Sequence, residues 1–93
     1  MIDKNRDKLL QIDSDLINLL ADRMKISYKI AEIKHNHAME IIQNDFWNVS
    51  SAKRKQISDS LNLNPNFIEE IFALIHKESI KIQQNKFKEL DNV

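Results

Sequence analysis

From about Asp3 to His37 the chain contains nothing that would break a helix. There is no Gly and no Pro in this stretch, and Leu9, Ile12, Leu16, Leu19, Arg23, Ile26, Ile30 and Ile33 recur at alternating spacings of three and four. That period marks one helical seam. A helix of this length runs roughly 50 Å at 1.5 Å per residue. A compact globule of 93 residues has a radius of gyration of only about 12 Å. Such a helix overhangs anything its own chain can wrap around it. The seam therefore calls for a partner, most economically a second copy related by a two-fold axis.

The pattern lapses through HNHAMEIIQND, which reads as a loop, with Asn44 or Asp45 as the cap of the next helix. A shorter helix fits Phe46 to about Leu61, with Val49, Lys53, Ile57 and Leu61 near one face. The stretch NLNPNF then stops one helix and starts another. Asn64 is placed as N-cap and Pro65 as first helical residue, with Glu69 and Glu70 in the early turns. The third helix draws its apolar set from Phe67 or Ile68, Ile71, Phe72, Leu74 or Ile75, and Ile82, and is expected to fray after Phe87. With no Gly and a single Pro, tight hairpins and an all-β fold are disfavoured. The expectation is one all-α domain over residues 1–93, with three helices: long, short and medium.

Composition narrows the function. The absence of Cys removes disulfides, thiolate nucleophiles and Cys-ligated zinc. The absence of Gly removes P-loops and dinucleotide fingerprints, which need backbone in close approach to phosphate. Fourteen basic residues balance fourteen acidic ones, which argues against nucleic acid and anionic membranes as partners. No apolar run approaches the length of a membrane span, and the N-terminus lacks the apolar region of a signal peptide. A soluble cytoplasmic protein is expected.

Several polar residues stand on otherwise apolar lines. Arg23 lies in the seam between Leu19 and Ile26. A guanidinium stays charged and is costly to bury without an anion, so it implies either an ion pair with a partner helix or an anionic ligand. Lys34, three helical turns on, points within about 20° of Arg23, with Ser27 and Ile30 between them. Two cations on one line suggest an anion site, against the plainer reading of a lysine snorkelling from the helix end. Arg6 is about 25 Å before Arg23 along a straight helix, too far to share a small ligand with it inside one chain. An antiparallel partner would deliver it. Ser79 and Gln83 share a face of the third helix beside Ile75 and Ile82, as a surface or helix-to-helix pair or as site residues. Other groups offer less: His35 and His37 face opposite ways, His76 and Glu78 lack ligand spacing, and the KRK run at 53–55 reads as a solvated face. No metal site is expected. Phe46 and Trp47 stand side by side and cannot both occupy the centre of one buried face.

Taken together, RDKLLQIDSDLINLLADRMKISYKIAEIK and IFALIHKESIKIQQ resemble the all-helical, AroQ-type chorismate mutase family. The ordered set, Arg, I-D, L-L-x-x-R, A-E-x-K and S-x-x-x-Q, covers nearly the whole chain in one register. The resemblance implies an intertwined homodimer of three-helix protomers and a cofactor-free Claisen rearrangement of chorismate to prephenate in aromatic amino-acid or related metabolism. Relatives on this fold eliminate pyruvate from isochorismate or rearrange 4-amino-4-deoxychorismate, and a non-catalytic dimer that binds a metabolite or regulates a partner enzyme is a further alternative. By position, Arg23 would grip one carboxylate of a dianionic substrate, and Arg6 of the second protomer would help hold the other. Lys34 and Gln83 would flank the ether oxygen, and Ser79 would meet the ring carboxylate. Lys34, Gln83 and Arg23 would form the catalytic set. The chain departs from the pattern at the start of the second helix. There the mutases carry an Arg-Glu pair, whose Glu takes the substrate's ring hydroxyl, and a nearby Asp. This chain has Phe46, Trp47 and Gln43 at those positions.

Overall fold

The computed structural model describes residues 1–92 as three helices joined by short turns: α1 (Ile2–Asn36), α2 (Asn44–Ser60) and α3 (Pro65–Asp91). Among the described residues there is no strand. α3 is the central element, and α1 and α2 each pack on it. The molecule measures 56 × 27 × 15 Å with a radius of gyration of 16.6 Å, far more extended than a globule of this length. The long helix is the cause, and it runs well past the elements that pack on it. Among the described residues no helix is long and apolar enough to cross a membrane.

The face that α1 turns to α3 is not the apolar seam. Met24, Ser27, Ala31 and Lys34, again at helical spacing, are half-buried or buried, as are Glu32 and His35 near the helix end. Leu9, Ile12, Leu16, Leu19, Ile26, Ile30 and Ile33 are all exposed. Ala31, at 0% exposure, is the only buried hydrophobic residue among those described. The remaining buried positions are polar: Ser27, Ser58, Ser79, Gln83 and Lys86. α2 behaves the same way. The line Val49, Lys53, Ile57 and Leu61 is exposed, while Trp47, Ser51, Arg54 and Ser58 lie inward. On α3, Ile68 and Ile75 are the half-buried members of the two ambiguous pairs, and Phe67 and Leu74 face outward.

The helix ends have local causes. α1 ends in a Schellman motif, in which the Met39 N–H donates to the Lys34 carbonyl and the Ala38 N–H to that of His35. Leu63 to Ser58 and Asn62 to Asp59 repeat it after α2. Both motifs need a left-handed residue, supplied by Ala38 (φ 53°) and Asn62 (φ 56°). Asn tolerates that region, whereas Ala suffers a Cβ clash. α2 begins two residues earlier than its sequence suggests. Gln43, not Asn44 or Asp45, is its N-cap, and it makes no side-chain cap bond because its amide donates to the Glu40 carbonyl at 2.6 Å. Asp45 falls in the first turn, where a carboxylate complements the helix dipole. Asn64 caps α3 as expected, its side-chain oxygen accepting from the Asn66 N–H at 2.9 Å with Pro65 following.

The last turns of α3 do not fray at Phe87, because α1 holds them. His35 meets Asp91 at 2.6 Å and packs its edge on the Phe87 ring, and the Tyr28 hydroxyl donates to Glu89. Lys86 bonds the Tyr28 hydroxyl at 2.8 Å and pairs with Glu32 and Glu89, contacts that hold its pKa above the usual lysine range. Replacing Ala38 by Gly keeps the Schellman motif and removes the Cβ clash. The variant is expected to gain about 1 kcal/mol in urea denaturation.

Candidate active site

α1 and α3 meet through small side chains. Ser27 and Ser79 meet Oγ to Oγ at 2.6 Å, one turn from Ala31. Nothing larger than a hydroxymethyl group separates the two helices there. One turn further on, two long polar side chains are brought together. The Lys34 ammonium donates to Gln83 Oε1 at 2.9 Å, and Gln83 Nε2 donates to Ser79 Oγ at 3.2 Å. Lys34 also donates to the backbone carbonyl of Ile41, in the turn after α1. Four residues from two helices thus form one connected network. Lys34, Gln83 and Ser79 are three of the residues expected from the sequence.

Donor capacity is left over. An ammonium has three protons, and Lys34 uses two on Gln83 and Ile41. The Gln83 amide has two, of which one goes to Ser79. Lys34 and Gln83 therefore each retain a donor for a ligand atom placed between them. Burial lowers the Lys34 pKa from its ordinary 10.5. Among the described residues neither Lys34 nor Arg23 forms an ion pair. Arg23 is exposed, with its guanidinium 5.7 Å from the centre of the Phe72 ring.

The second wall comes from α2 and was only partly visible in the sequence. Trp47 is half-buried and stacks at a tilt on His76 of α3, with ring centres 4.4 Å apart. Arg54 lies over both Trp47 and Phe72, 4.7 Å from each ring centre. Its Nε and Nη2 reach the two carboxylate oxygens of Glu69 at 2.8 and 3.2 Å, and Ser51 adds a bond to Glu69. The reading of 53–55 as a solvated run therefore fails at its middle residue. Lys53 and Lys55 are exposed, but Arg54 is seven residues after Trp47 and on the same inward face. His76 was also passed over. It falls four residues after Phe72, three before Ser79 and seven before Gln83, a spacing that marks one line on α3. Burial, then Arg23, Arg54 and Lys34, depress its pKa from the ordinary 6.5, which favours the neutral imidazole.

The remaining expected residues are dispersed. Phe46 is 71% exposed and points away from this cluster, whereas its neighbour Trp47 faces it. Gln43 is half-buried at the start of α2. Arg6 is exposed near the far end of α1, about 25 Å along the axis from Arg23, and reaches no residue of the cluster within the chain. The described residues hold no group of three potential metal-ligating side chains. What remains is a wall of cations, of which Arg54 is paired with Glu69, and amide donors beside aromatic faces. It is suited to holding an anionic, partly apolar molecule and to stabilising negative charge that grows on an oxygen near Lys34 and Gln83.

The profile of the family described as chorismate mutase type II matches residues 5–84. The chain belongs to this family. It is 34% identical, over 88% of its length, to the bifunctional chorismate mutase/prephenate dehydratase of Buchnera aphidicola subsp. Schizaphis graminum, covering 22% of that protein. It is 30% identical to the protein of the same description from Buchnera aphidicola subsp. Acyrthosiphon pisum, over 94% of its length and 23% of that protein. It is 27% identical to the T-protein of Enterobacter agglomerans, over 91% of its length and 23% of that protein. The chain thus spans under a quarter of the length of these curated relatives. No solved structure matches it. The three-helix architecture agrees with the family, and the Lys34–Gln83–Ser79 network falls within the matched residues.

The Arg54–Glu69 pair supplies a stability test. Arg54 holds the Glu69 carboxyl below its ordinary 4.5. A carboxylate with a depressed folded-state pKa stabilises fully above its unfolded pKa, and that gain is lost as pH falls through the lower folded value. Glu69→Gln is therefore expected to cost roughly 1 kcal/mol at pH 7. In urea denaturation, the gap between wild type and variant should close as the pH is taken well below 4.5.

Proposed function

We propose that the protein is a cytoplasmic chorismate mutase, converting chorismate to prephenate without a cofactor. The observation that carries this reading is the Lys34–Gln83 pair, bonded at 2.9 Å with one unused donor on each member, with exposed Arg23 three turns away on the same line of α1. The rearrangement breaks the ether carbon–oxygen bond as a carbon–carbon bond forms within the same molecule. It needs neither nucleophile nor base. Catalysis consists of holding a compact conformer of the dianion and of stabilising the charge that develops on the ether oxygen. The spare protons of Lys34 and Gln83 meet that oxygen. Arg23 grips a carboxylate, and Ser79 meets the ring carboxylate. Partial burial strengthens each of these fields relative to water.

The active form in this reading is an intertwined homodimer. A chain whose only buried hydrophobic residue among those described is an alanine, and whose α1 seam is exposed from Leu9 to Ile33, has an apolar surface that a second copy covers. An antiparallel pairing of the two long helices brings Arg6 of one protomer to the site of the other. Trp47 favours one alternative outcome, pyruvate elimination from isochorismate, because an indole and not a carboxylate faces the ring there. Incubation with each substrate separates the two readings by product: prephenate, or salicylate with pyruvate.

With chorismate, Lys34→Ala and Gln83→Ala are each expected to lower kcat by about a hundredfold or more. Sedimentation should still give a dimer for both. Retained activity in both variants would remove the site assignment. The trans role of Arg6 is checked by mixing inactive Arg6→Ala and Gln83→Ala chains after unfolding and refolding together. Half the dimers are then mixed and each has one intact site, so about a quarter of wild-type activity should return. Arg6 acting within its own chain would give no recovery.

A further inference from the structure

We propose that His76 contacts the substrate, its neutral imidazole accepting the hydrogen bond of the substrate's ring hydroxyl. This inference rests on the mutase reading and deepens it. As a dianion, chorismate carries a single hydrogen-bond donor, that hydroxyl, and needs one acceptor from the protein. The wall of the site is almost entirely donors. Arg23, Lys34, Arg54 and the Trp47 indole have none but N–H groups to offer, and the Gln83 carbonyl oxygen already accepts from Lys34. Among these side chains, the imidazole of His76 is the one whose acceptor no protein donor engages.

Its placement fits the role. It lies on the same line of α3 as Ser79 and Gln83, and stacking on Trp47 at 4.4 Å fixes the plane of its ring. Among the described residues no hydrogen bond engages either ring nitrogen, and no buried side-chain nitrogen lacks a partner. Both nitrogens are therefore accessible to solvent. The charged groups acting on the ring come from both neighbouring helices, Arg23 and Lys34 on α1 and Arg54 on α2, and all three are cations. The nearby carboxylate of Glu69 is engaged by Arg54 and Ser51. Together with burial, this field keeps the ring in the form that accepts a hydrogen bond.

The test compares chorismate with an analogue bearing hydrogen in place of the ring hydroxyl. His76→Phe, which retains an aromatic ring against Trp47, should lower kcat/KM for chorismate roughly ten- to a hundredfold. It should leave kcat/KM for the analogue unchanged. Equal losses on both substrates would show a purely structural role and overturn the proposal. For wild type, kcat/KM with chorismate should fall on acidification below 6.5 as the free enzyme's His76 protonates. That limb should vanish in His76→Gln, which retains an acceptor and serves as the test variant if His76→Phe does not fold. A rate that rises on acidification would mean that imidazolium binds as a further cation, and would overturn the acceptor role. Turnover of neither substrate by wild type would overturn the mutase reading, and this inference with it.

Discussion

The close crossing of α1 and α3 at Ser27, Ala31 and Ser79 is the constraint on which the rest depends. A methylene more at any of these positions would push the helices apart. The 2.9 Å contact between Lys34 and Gln83, one turn beyond, would open with them. The crossing is polar as well as tight. The Ser27 and Ser79 hydroxyls satisfy each other, so the helices approach without an unpaired buried group and without a bulky apolar filler. The small residues that permit packing thus also set the geometry of the chemistry. The candidate site is a direct continuation of this close contact.

The inward faces of α1 and α2 are mostly polar, and most of their apolar residues look outward, whereas α3 turns mainly half-buried apolar residues inward. On α1 and α2 this inverts the usual arrangement for a chain of this size. What a single copy does bury is held by hydrogen bonds and ion pairs: the serine pair, the Lys34–Gln83–Ser79 network, Arg54 with Glu69, and Lys86 with Tyr28, Glu32 and Glu89. Such contacts specify geometry well but contribute modest net stability. The apolar surface that normally drives folding is displayed along α1 and along the outer line of α2.

Much of this was legible in the sequence, and the omissions share a physical origin. The three helices followed from periodicity and from the Asn64–Pro65 start, since these signals are local. Lys34, Ser79 and Gln83 stood out because each interrupts an apolar line at helical spacing. Arg54 did not, because within KRK a cation among cations carries no contrast, and only the folded partner Glu69 distinguishes it. His76 was judged by metal-ligand spacing, whereas its significance lies in the tertiary stack on Trp47. The cap of α2 was misplaced because the Gln43 side chain is occupied with Glu40, leaving its backbone alone to start the helix. The end of α3 was set too early because Tyr28, His35 and Glu32, all on α1, hold it from a distance in sequence.

One contact has a consequence for how the chain can vary. The turn after α1 binds the Lys34 ammonium through the carbonyl of Ile41, a backbone group that every amino acid possesses. No substitution at position 41 deletes that acceptor, so the side chain there is free to drift. The length of the turn is not. Inserting or removing one residue between the left-handed Ala38 and the start of α2 would carry a different carbonyl past the ammonium, or none. At position 41 the turn is therefore tolerant of spelling yet intolerant of spacing, the reverse of what surface loops ordinarily permit.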